Sequence, residues 1–329
     1  MGRLAAAGIR LPSLGLGTAA LGGLHGPVTK SDAAAALETA WEAGIRFYDT
    51  APLYGRGLGE LRTGTALRER ARDSVVLSTK VGWRMHPLHR QDGAPAGALP
   101  FGLACDYSRD GTLRSVEDSL TRLGLARIDI ALVHDVDPYN HGDAYPQRRR
   151  EVLDGALPAL RQLQAEGVVG AVGIGVNDPA VCLDILRLAE LDCILLAGRY
   201  TLLDGSAAET LLPECLRCGI DIIVGAPFNT GILARGSVHG ARYHHRAADP
   251  DIVARVVAIE AICERHGVAL PAAALRFPLR HPAVVSVLPG PRSAAQVREI
   301  AVHAAAVIPD AFWHDLGVAG LLPTAKEPA

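Results

Sequence analysis

The absences in this chain are informative before any motif is found. Its 33 lysines and arginines nearly cancel its 35 aspartates and glutamates, leaving a formal net charge of -2, so no excess of one sign draws in nucleic acid or an anionic membrane. No apolar run reaches transmembrane length, and the start, Met1-Gly2-Arg3-Leu4-Ala5-Ala6-Ala7-Gly8, has no long apolar core for a signal peptide. Ala6 stands where a myristoylation signal requires serine or threonine. These absences predict a cytoplasmic protein with no membrane partner. The six cysteines (Cys105, Cys182, Cys193, Cys215, Cys218 and Cys263) are scattered without zinc-like spacing and read as reduced core thiols, the Cys215/Cys218 pair included. His244 and His245 are adjacent, so they point apart, and no carboxylate pair accompanies them; a mobile loop is expected there, and no metal site. A matched carboxylate pair, which a barrel hydrolase would need, is also missing.

Apolar residues, at 49%, are ample for a buried core. At 329 residues the chain exceeds the usual single-domain size, yet α/β barrels reach this length around one core. A repeated grammar organises it. Amphipathic helical patterns close on a glycine, as at Gly44, Gly124, Gly167 and Gly219, and a β-rich apolar run follows at once. Strands are expected at Leu14 to Thr18, Arg46 to Tyr48, Val75 to Thr79, Ile128 to Val133, Val169 to Ile174, Cys193 to Leu196, Asp221 to Val224 and Val284 to Val287. Several are continuous apolar runs, the pattern of strands buried on both faces. Helical patterns lie between them, with Asp178-Pro179 giving one a cap and a first-turn proline. The alternation predicts an α/β protein, a closed (β/α)8 TIM barrel, as one domain over residues 1–329 with no linker to split it.

Two connections are too long for simple turns. The first, Val81 to Asp110, carries Trp83, His86, His89, Phe101 and Tyr107; the second, Asp135 to Arg150, carries Asp137, Tyr139, Asn140, His141 and Tyr145. Both follow strands, so both are expected over the C-terminal mouth, where barrels bind substrates. Pro227 to Pro250 is a third, placed to fold over an anionic ligand. Arg148 to Arg150 reads as a solvated helix start, and the tail from Pro309 as a short helix with a frayed end.

The chemistry gathers at strand ends. In Arg46-Phe47-Tyr48-Asp49-Thr50-Ala51-Pro52-Leu53-Tyr54-Gly55 a buried-looking strand runs into a loop that presents a carboxylate and, five residues on, a phenol. A phenol titrates near pH ~10 and trades protons near neutrality only if a fixed cation stabilises its anion. That cation is found where the next strand ends, in Ser78-Thr79-Lys80, and the strand after it ends in His134. Lys80 is expected to lower the proton affinity of Tyr54, Asp49 to hold the ammonium, and His134 to orient a substrate oxygen. Such a set suits proton exchange at a hydroxyl or carbonyl oxygen while a hydride moves at the attached carbon. Gly15-Leu16-Gly17-Thr18-Ala19-Ala20 fits the loose dinucleotide-binding pattern but runs into Gly22, Gly23 and Pro27 instead of opening a helix, so it is not read as a Rossmann site.

These residues, with Gly173-Ile174-Gly175-Val176-Asn177 and Leu288-Pro289-Gly290-Pro291-Arg292, stand in the order seen in the aldo-keto reductases, and the chain resembles that superfamily over almost its whole length. Asp106-Tyr107-Ser108, Ala197-Gly198-Arg199-Tyr200 and Gly225-Ala226-Pro227-Phe228-Asn229-Thr230-Gly231-Ile232-Leu233 are most similar to the D-threo-aldose 1-dehydrogenase, L-fucose dehydrogenase and pyridoxal 4-dehydrogenase group. The resemblance implies a catalytic tetrad of Asp49, Tyr54, Lys80 and His134, with Tyr54 as acid/base, and a nicotinamide cofactor across the mouth. Gly17, Thr18, Asp49 and Asn177 would border the nicotinamide. Pro227, Phe228, Thr230, Gly231 and Leu233 would line the pyrophosphate, and Gly290, Arg292, Gln296 and Glu299 would surround the adenosine. Trp83 and Asp135 would contact substrate beside Tyr54 and His134. Ala197 and Gly225 replace the glutamine and stacking tyrosine usual at the nicotinamide, and Gly290 and Gln296 replace cations used for a 2'-phosphate. The expected cofactor is therefore NAD(H) or NADP(H), with a lean to NAD(H). The resemblance implies oxidation of the C1 hydroxyl of a free aldose to a lactone, the alternatives being pyridoxal oxidation, general aldehyde or ketone reduction, or a non-catalytic cofactor-binding regulatory subunit. Oligomeric state is not implied.

Overall fold

In the computed structural model, which describes residues 2–24, 26–88 and 97–323, eight parallel strands form one sheet in chain order. They are Leu16–Gly17, Phe47–Asp49, Val76–Val81, Ile128–His134, Val169–Gly175, Cys193–Ala197, Asp221–Gly225 and Val284–Leu288. The last meets the first through a bridge between Leu14 and Val287, with the Gly15 N–H donating to the Val287 carbonyl at 2.9 Å. The expected (β/α)8 architecture is found, each strand within a few residues of its predicted place.

The continuous apolar runs are explained by burial on both faces. One face packs on the helices, through residues such as Val172, Ile194, Val224, Ile185 and Ile259. The other fills the barrel with Phe47, Ile130, Leu132, Ala171, Cys193, Leu195, Ile223 and Leu288. Because side chains alternate across a strand, the residue two places beyond an interior side chain also points inward. Asp49 follows Phe47 in this way, His134 follows Leu132, Ala197 follows Leu195 and Gly225 follows Ile223. The C-terminal rim is thus written by the same period that builds the core.

Four features depart from expectation. The segment read only for its lack of a leader contains a short helix, Arg3–Ala6, whose Leu4 joins the interior cluster and donates its N–H to Asp221 Oδ2 at 2.8 Å. The first long connection contains an antiparallel hairpin of Trp83–Pro87 with Phe101–Cys105; His89 lies outside the described residues. The second connection is helical almost throughout, as Pro138–His141 and then Tyr145–Glu151, which runs through a π-helical turn, Val152–Ala156, into Leu157–Ala165. Gly155 in that turn lies against the chain at Tyr107, where a Cβ would stand 2.8 Å from the Tyr107 carbonyl oxygen. The arginine run belongs to this helix and is not a solvated start, since Arg148 pairs with Glu151 and Arg149 with Asp184. The fourth feature is the connection after Gly225, which holds a 3-10 turn, Asn229–Gly231, a short helix, Ile232–Arg235, and a small hairpin of Arg242–Tyr243 with Arg246–Ala247. All six cysteines are free thiols, Cys105 and Cys218 being half-buried and the rest buried.

Candidate active site

Lys80 ends in a closed coordination set. Its ammonium donates to Asp49 Oδ1 at 2.9 Å, Asp49 Oδ2 at 2.7 Å and the Thr50 carbonyl at 2.8 Å, and only 1% of its side chain is exposed. Ser78, paired in register with Asp49, donates its hydroxyl to Asp49 Oδ1 at 2.7 Å. A buried ion pair survives its desolvation cost only when such extra bonds satisfy both charges. Tyr54 leaves the turn after the second strand and places its ring centroid 4.6 Å from the Lys80 ammonium. Its ring meets His134 edge-on, with centroids 5.9 Å apart at 83°. The four side chains singled out from three strand ends and one loop converge on one spot.

Their proton affinities differ from expectation at one point. Burial pushes the Tyr54 phenol up to about 12, against the pull of Lys80, which lowers it. The predicted sign of the lysine's influence is found, but desolvation is the larger effect, so Tyr54 is a protonated donor at neutral pH. Burial alone would lower Lys80; the charges of Asp49 and Tyr54 outweigh it and raise the ammonium's affinity for its proton. His134 is driven well below the ordinary imidazole value by burial and then by Lys80, and is therefore neutral. A neutral ring has one N–H, and for His134 Nε2, 3.6 Å from Asp135 Oδ2, to donate to a ligand oxygen it must carry that proton. Nδ1 then carries the lone pair, in keeping with its lack of a hydrogen-bond partner among the described residues.

A second wall rises beside His134. Asp135 follows it with a left-handed backbone, φ 55°, and burial, the nearby Asp137 and an opposing Lys80 leave its carboxyl at about 7. Tyr107, fully buried, donates its hydroxyl to the His134 carbonyl at 2.6 Å and meets His141 Nε2 at 3.0 Å. Trp83 stacks on the other side of His141, with centroids 5.9 Å apart at 14°. Trp83 and Asp135 were anticipated at the mouth; the pairing of Tyr107 with His141 was not.

The residues expected around a cofactor start beside Asp49, with which Gly17 pairs in register. Gly17 and Gly290 border a bare strip, where a Cβ on Gly17 would be 3.6 Å from the Pro289 carbonyl and one on Gly290 would be 3.7 Å from that of Gly17. Thr18 is buried and gives its hydroxyl to the Asp49 carbonyl at 3.0 Å, so it supports the rim with its backbone and offers no side chain. Asn177 is exposed; its Oδ1 accepts from the Ala197 N–H at 3.0 Å, which leaves the amide hydrogens for a ligand. Gly231 adopts φ 101°, a conformation that favours glycine, but its N–H is bonded to the Phe228 carbonyl at 2.9 Å. Leu233 is wholly buried in the core and its N–H also goes to the Phe228 carbonyl, at 3.2 Å, so its side chain underpins this segment. Pro227 is buried, Phe228 half-buried, and the Thr230 hydroxyl accepts from the His245 N–H at 3.2 Å. At the far end Gln296 Oε1 accepts from the Arg292 N–H at 2.8 Å, the Arg292 guanidinium reaches the Gly26 and Pro27 carbonyls at 3.3 and 3.2 Å, and Glu299 is exposed.

Residues 13–317 match the model of the aldo/keto reductase family. The chain belongs to that family. Among related aldo-keto reductases, it is 40% identical over 328 residues to pyridoxal 4-dehydrogenase of Microbacterium luteolum, covering 96% of each chain. It is equally, 40%, identical to D-threo-aldose 1-dehydrogenase of a Pseudomonas species, covering 97% of each. An aldo-keto reductase of Bacillus halodurans in its holo form superposes with a TM-score of 0.75 at 24% identity, over 96% of this chain and 93% of that one. An aldo/keto reductase of Klebsiella pneumoniae in complex with NADP and acetate gives 0.69 at 23% identity, over 96% and 94%. The protein is thus an NAD(P)-dependent oxidoreductase.

The bare rim fits a nicotinamide cofactor. Gly17, Ala197, Gly225 and Gly290 carry little or no side chain, and Asn177 supplies unused amide donors beside them. Sequence reasoning missed the clasp over this rim. His244 Nε2 lies 3.5 Å from Asp204 Oδ2 and 3.3 Å from Arg199 Nη1, while Arg199 Nε donates to the Asn177 carbonyl at 2.9 Å. His244 was assigned to a mobile loop because its partners stand about forty residues away, beyond any local pattern.

Proposed function

We propose that this aldo-keto reductase oxidises the C1 hydroxyl of a free aldose, of the L-fucose or D-threo-aldose type, to a lactone. The observation that carries the reading is the Asp49-anchored ammonium of Lys80, 4.6 Å from the Tyr54 ring. A bound nicotinamide would supply the acceptor for the C1 hydrogen and its electron pair. Asn177 would hold its carboxamide, with Gly17, Thr18 and Asp49 beside it. Pro227, Phe228, Thr230 and Gly231 would border the pyrophosphate, and Gly290, Arg292, Gln296 and Glu299 the adenosine.

In this reading Tyr54, as phenolate, accepts the hydroxyl proton while the C1–O bond becomes a carbonyl. Lys80 stabilises the phenolate, and Asp49 keeps the ammonium in place. His134, neutral, donates from Nε2 to the reacting oxygen and fixes its direction. Trp83 and Asp135 complete the substrate wall. NAD(H) is favoured, since Gly290 and Gln296 add no charge at the adenosine end and the Arg292 guanidinium is engaged with Gly26 and Pro27.

The equal identity to pyridoxal 4-dehydrogenase supports a second reading, pyridoxal oxidation through a hemiacetal whose carbon resembles an anomeric centre. Initial rates with L-fucose, D-arabinose, L-glucose, galactose and pyridoxal, each with NAD and with NADP, decide between them. An aldose turned over best with NAD is the expected result; activity on simple aldehydes alone would remove both readings.

A further inference from the structure

We propose that Tyr107 and His141 are positioning residues that hold the Asp135 carboxyl where it accepts a hydrogen bond from the hydroxyl on C2 of the sugar, beside the carbon that is oxidised. The inference rests on the aldose reading above and deepens it.

The peptide joining His134 to Asp135 is held at both ends. Its carbonyl oxygen accepts from the Tyr107 hydroxyl at 2.6 Å, and its N–H donates to the Gly175 carbonyl at 2.9 Å. Asp135 needs this restraint, because a left-handed backbone is disfavoured for any residue with a Cβ. The Tyr107 hydroxyl also meets His141 Nε2 at 3.0 Å, and the His141 ring is bonded to the backbone of Asp135 as well, so the imidazole braces both the residue and the hydroxyl that hold this peptide. Trp83 stacked on the ring fixes its plane. The relay therefore runs from the hairpin and from the helix Pro138–His141 to a single peptide group, and that peptide aims one carboxyl.

The carboxyl is aimed into the site. Its Oδ2 stands 3.6 Å from His134 Nε2, and 16% of the side chain remains exposed. A substrate oxygen bonded to His134 leaves the oxygen on its neighbouring carbon within reach of Asp135. Lys80 is already matched by Asp49, so the remaining acceptor on this wall fits a neutral donor such as a sugar hydroxyl. A site built to bond a hydroxyl discriminates strongly against the analogue that lacks it, because its polar group is then left unpaired.

The test compares kcat/KM for the preferred aldose with that for its 2-deoxy analogue, in the wild type and in Asp135→Ala, Tyr107→Phe, His141→Ala and His141→Gln. The wild type should prefer the 2-hydroxy sugar by about a hundredfold or more. Asp135→Ala should abolish the preference, and Tyr107→Phe and His141→Ala should each cut it by about tenfold, while His141→Gln, which keeps a donor, retains most of it. A purely structural role would lower both rates alike and leave the ratio unmoved in the Tyr107 and His141 variants, which would overturn the inference, as would a wild type indifferent to the C2 hydroxyl. A wild type that oxidises pyridoxal but no aldose overturns the aldose reading itself and this inference with it.

Discussion

The two sides of the barrel mouth use the same pleat for opposite ends. The second to fourth strands close with Asp49, Lys80 and His134 pointing inward; the fifth to seventh close with Gly175, Ala197 and Gly225 at equivalent places. On the charged side the ion pair is costly to bury, so it is bonded: the Lys80 ammonium donates to two Asp49 oxygens and the Thr50 carbonyl, and the Ser78 hydroxyl donates to Asp49 Oδ1. On the small side almost nothing is presented, and what it contributes is room. A Cβ on Gly175 would lie 3.5 Å from Lys80 Cε, so a larger side chain there would press on the charged side. The proposed chemistry would use this contrast, since a nicotinamide ring needs bare rim near the phenol.

The largest effect should come from removing the cation. Lys80→Met leaves the Asp49 carboxylate buried without its partner, which should destabilise the fold by about 3–5 kcal/mol in denaturant unfolding. It should also cut turnover by on the order of a hundredfold or more. The pH profile gives the sign: oxidation needs the phenolate, Tyr54 lies at about 12, and the rate should climb through the alkaline range. Lys80 holds that value down, so its loss should push the climb to still higher pH. A profile left in place by the substitution would break the charged half of the comparison. Tyr54→Phe should cost turnover on the same order while nicotinamide affinity, measured by fluorescence titration, stays nearly intact.

A smaller effect is expected on the bare side. Gly175→Val should overpack against Lys80, costing about 1–3 kcal/mol of stability. Cofactor affinity should fall by about tenfold, an effect visible in the same titration. Unchanged affinity would mean that the emptiness of this rim is incidental.

The smallest effect concerns the clasp above the bare side. Burial would raise the Asp204 carboxyl, but bonds from His244 and Ser206 and the charge of Arg199 outweigh it and hold the group well below the usual carboxylate range. Its contribution is therefore present above the unfolded value near pH ~4 and is lost as pH falls through the lower folded value. Asp204→Asn should destabilise by about 1 kcal/mol at neutral pH, weaken the acid-side loss of stability and speed cofactor release a few-fold, with kcat for bound substrate unchanged. Stopped-flow release rates and unfolding at about pH 2 and pH 7 check this.

Much of the charged half was legible because it obeys a local rule: a polar residue closing an apolar strand stands at the rim, and three successive strands share one rim. Asp49, Lys80 and His134 needed nothing more to be placed together, and Tyr54 followed from the loop length. Burial was harder to read. The net rise in the Tyr54 value comes from helices and hairpins that exclude water around it, and no residue spacing encodes that exclusion. The inward turn of the Leu233 side chain was unreadable for a related reason, since it depends on what packs around the segment.

The chain alone determined the alternation of strands and helices, the period that points every second side chain inward, and the identity of the groups at each strand end. Those are short-range properties of backbone geometry and side-chain polarity. Only the tertiary structure decided how strongly each group binds its proton and which distant residues meet: Tyr107 with His141, and His244 with Asp204. Desolvation and long-range pairing depend on what the fold packs around a residue, and that neighbourhood is assembled from segments far apart in the chain.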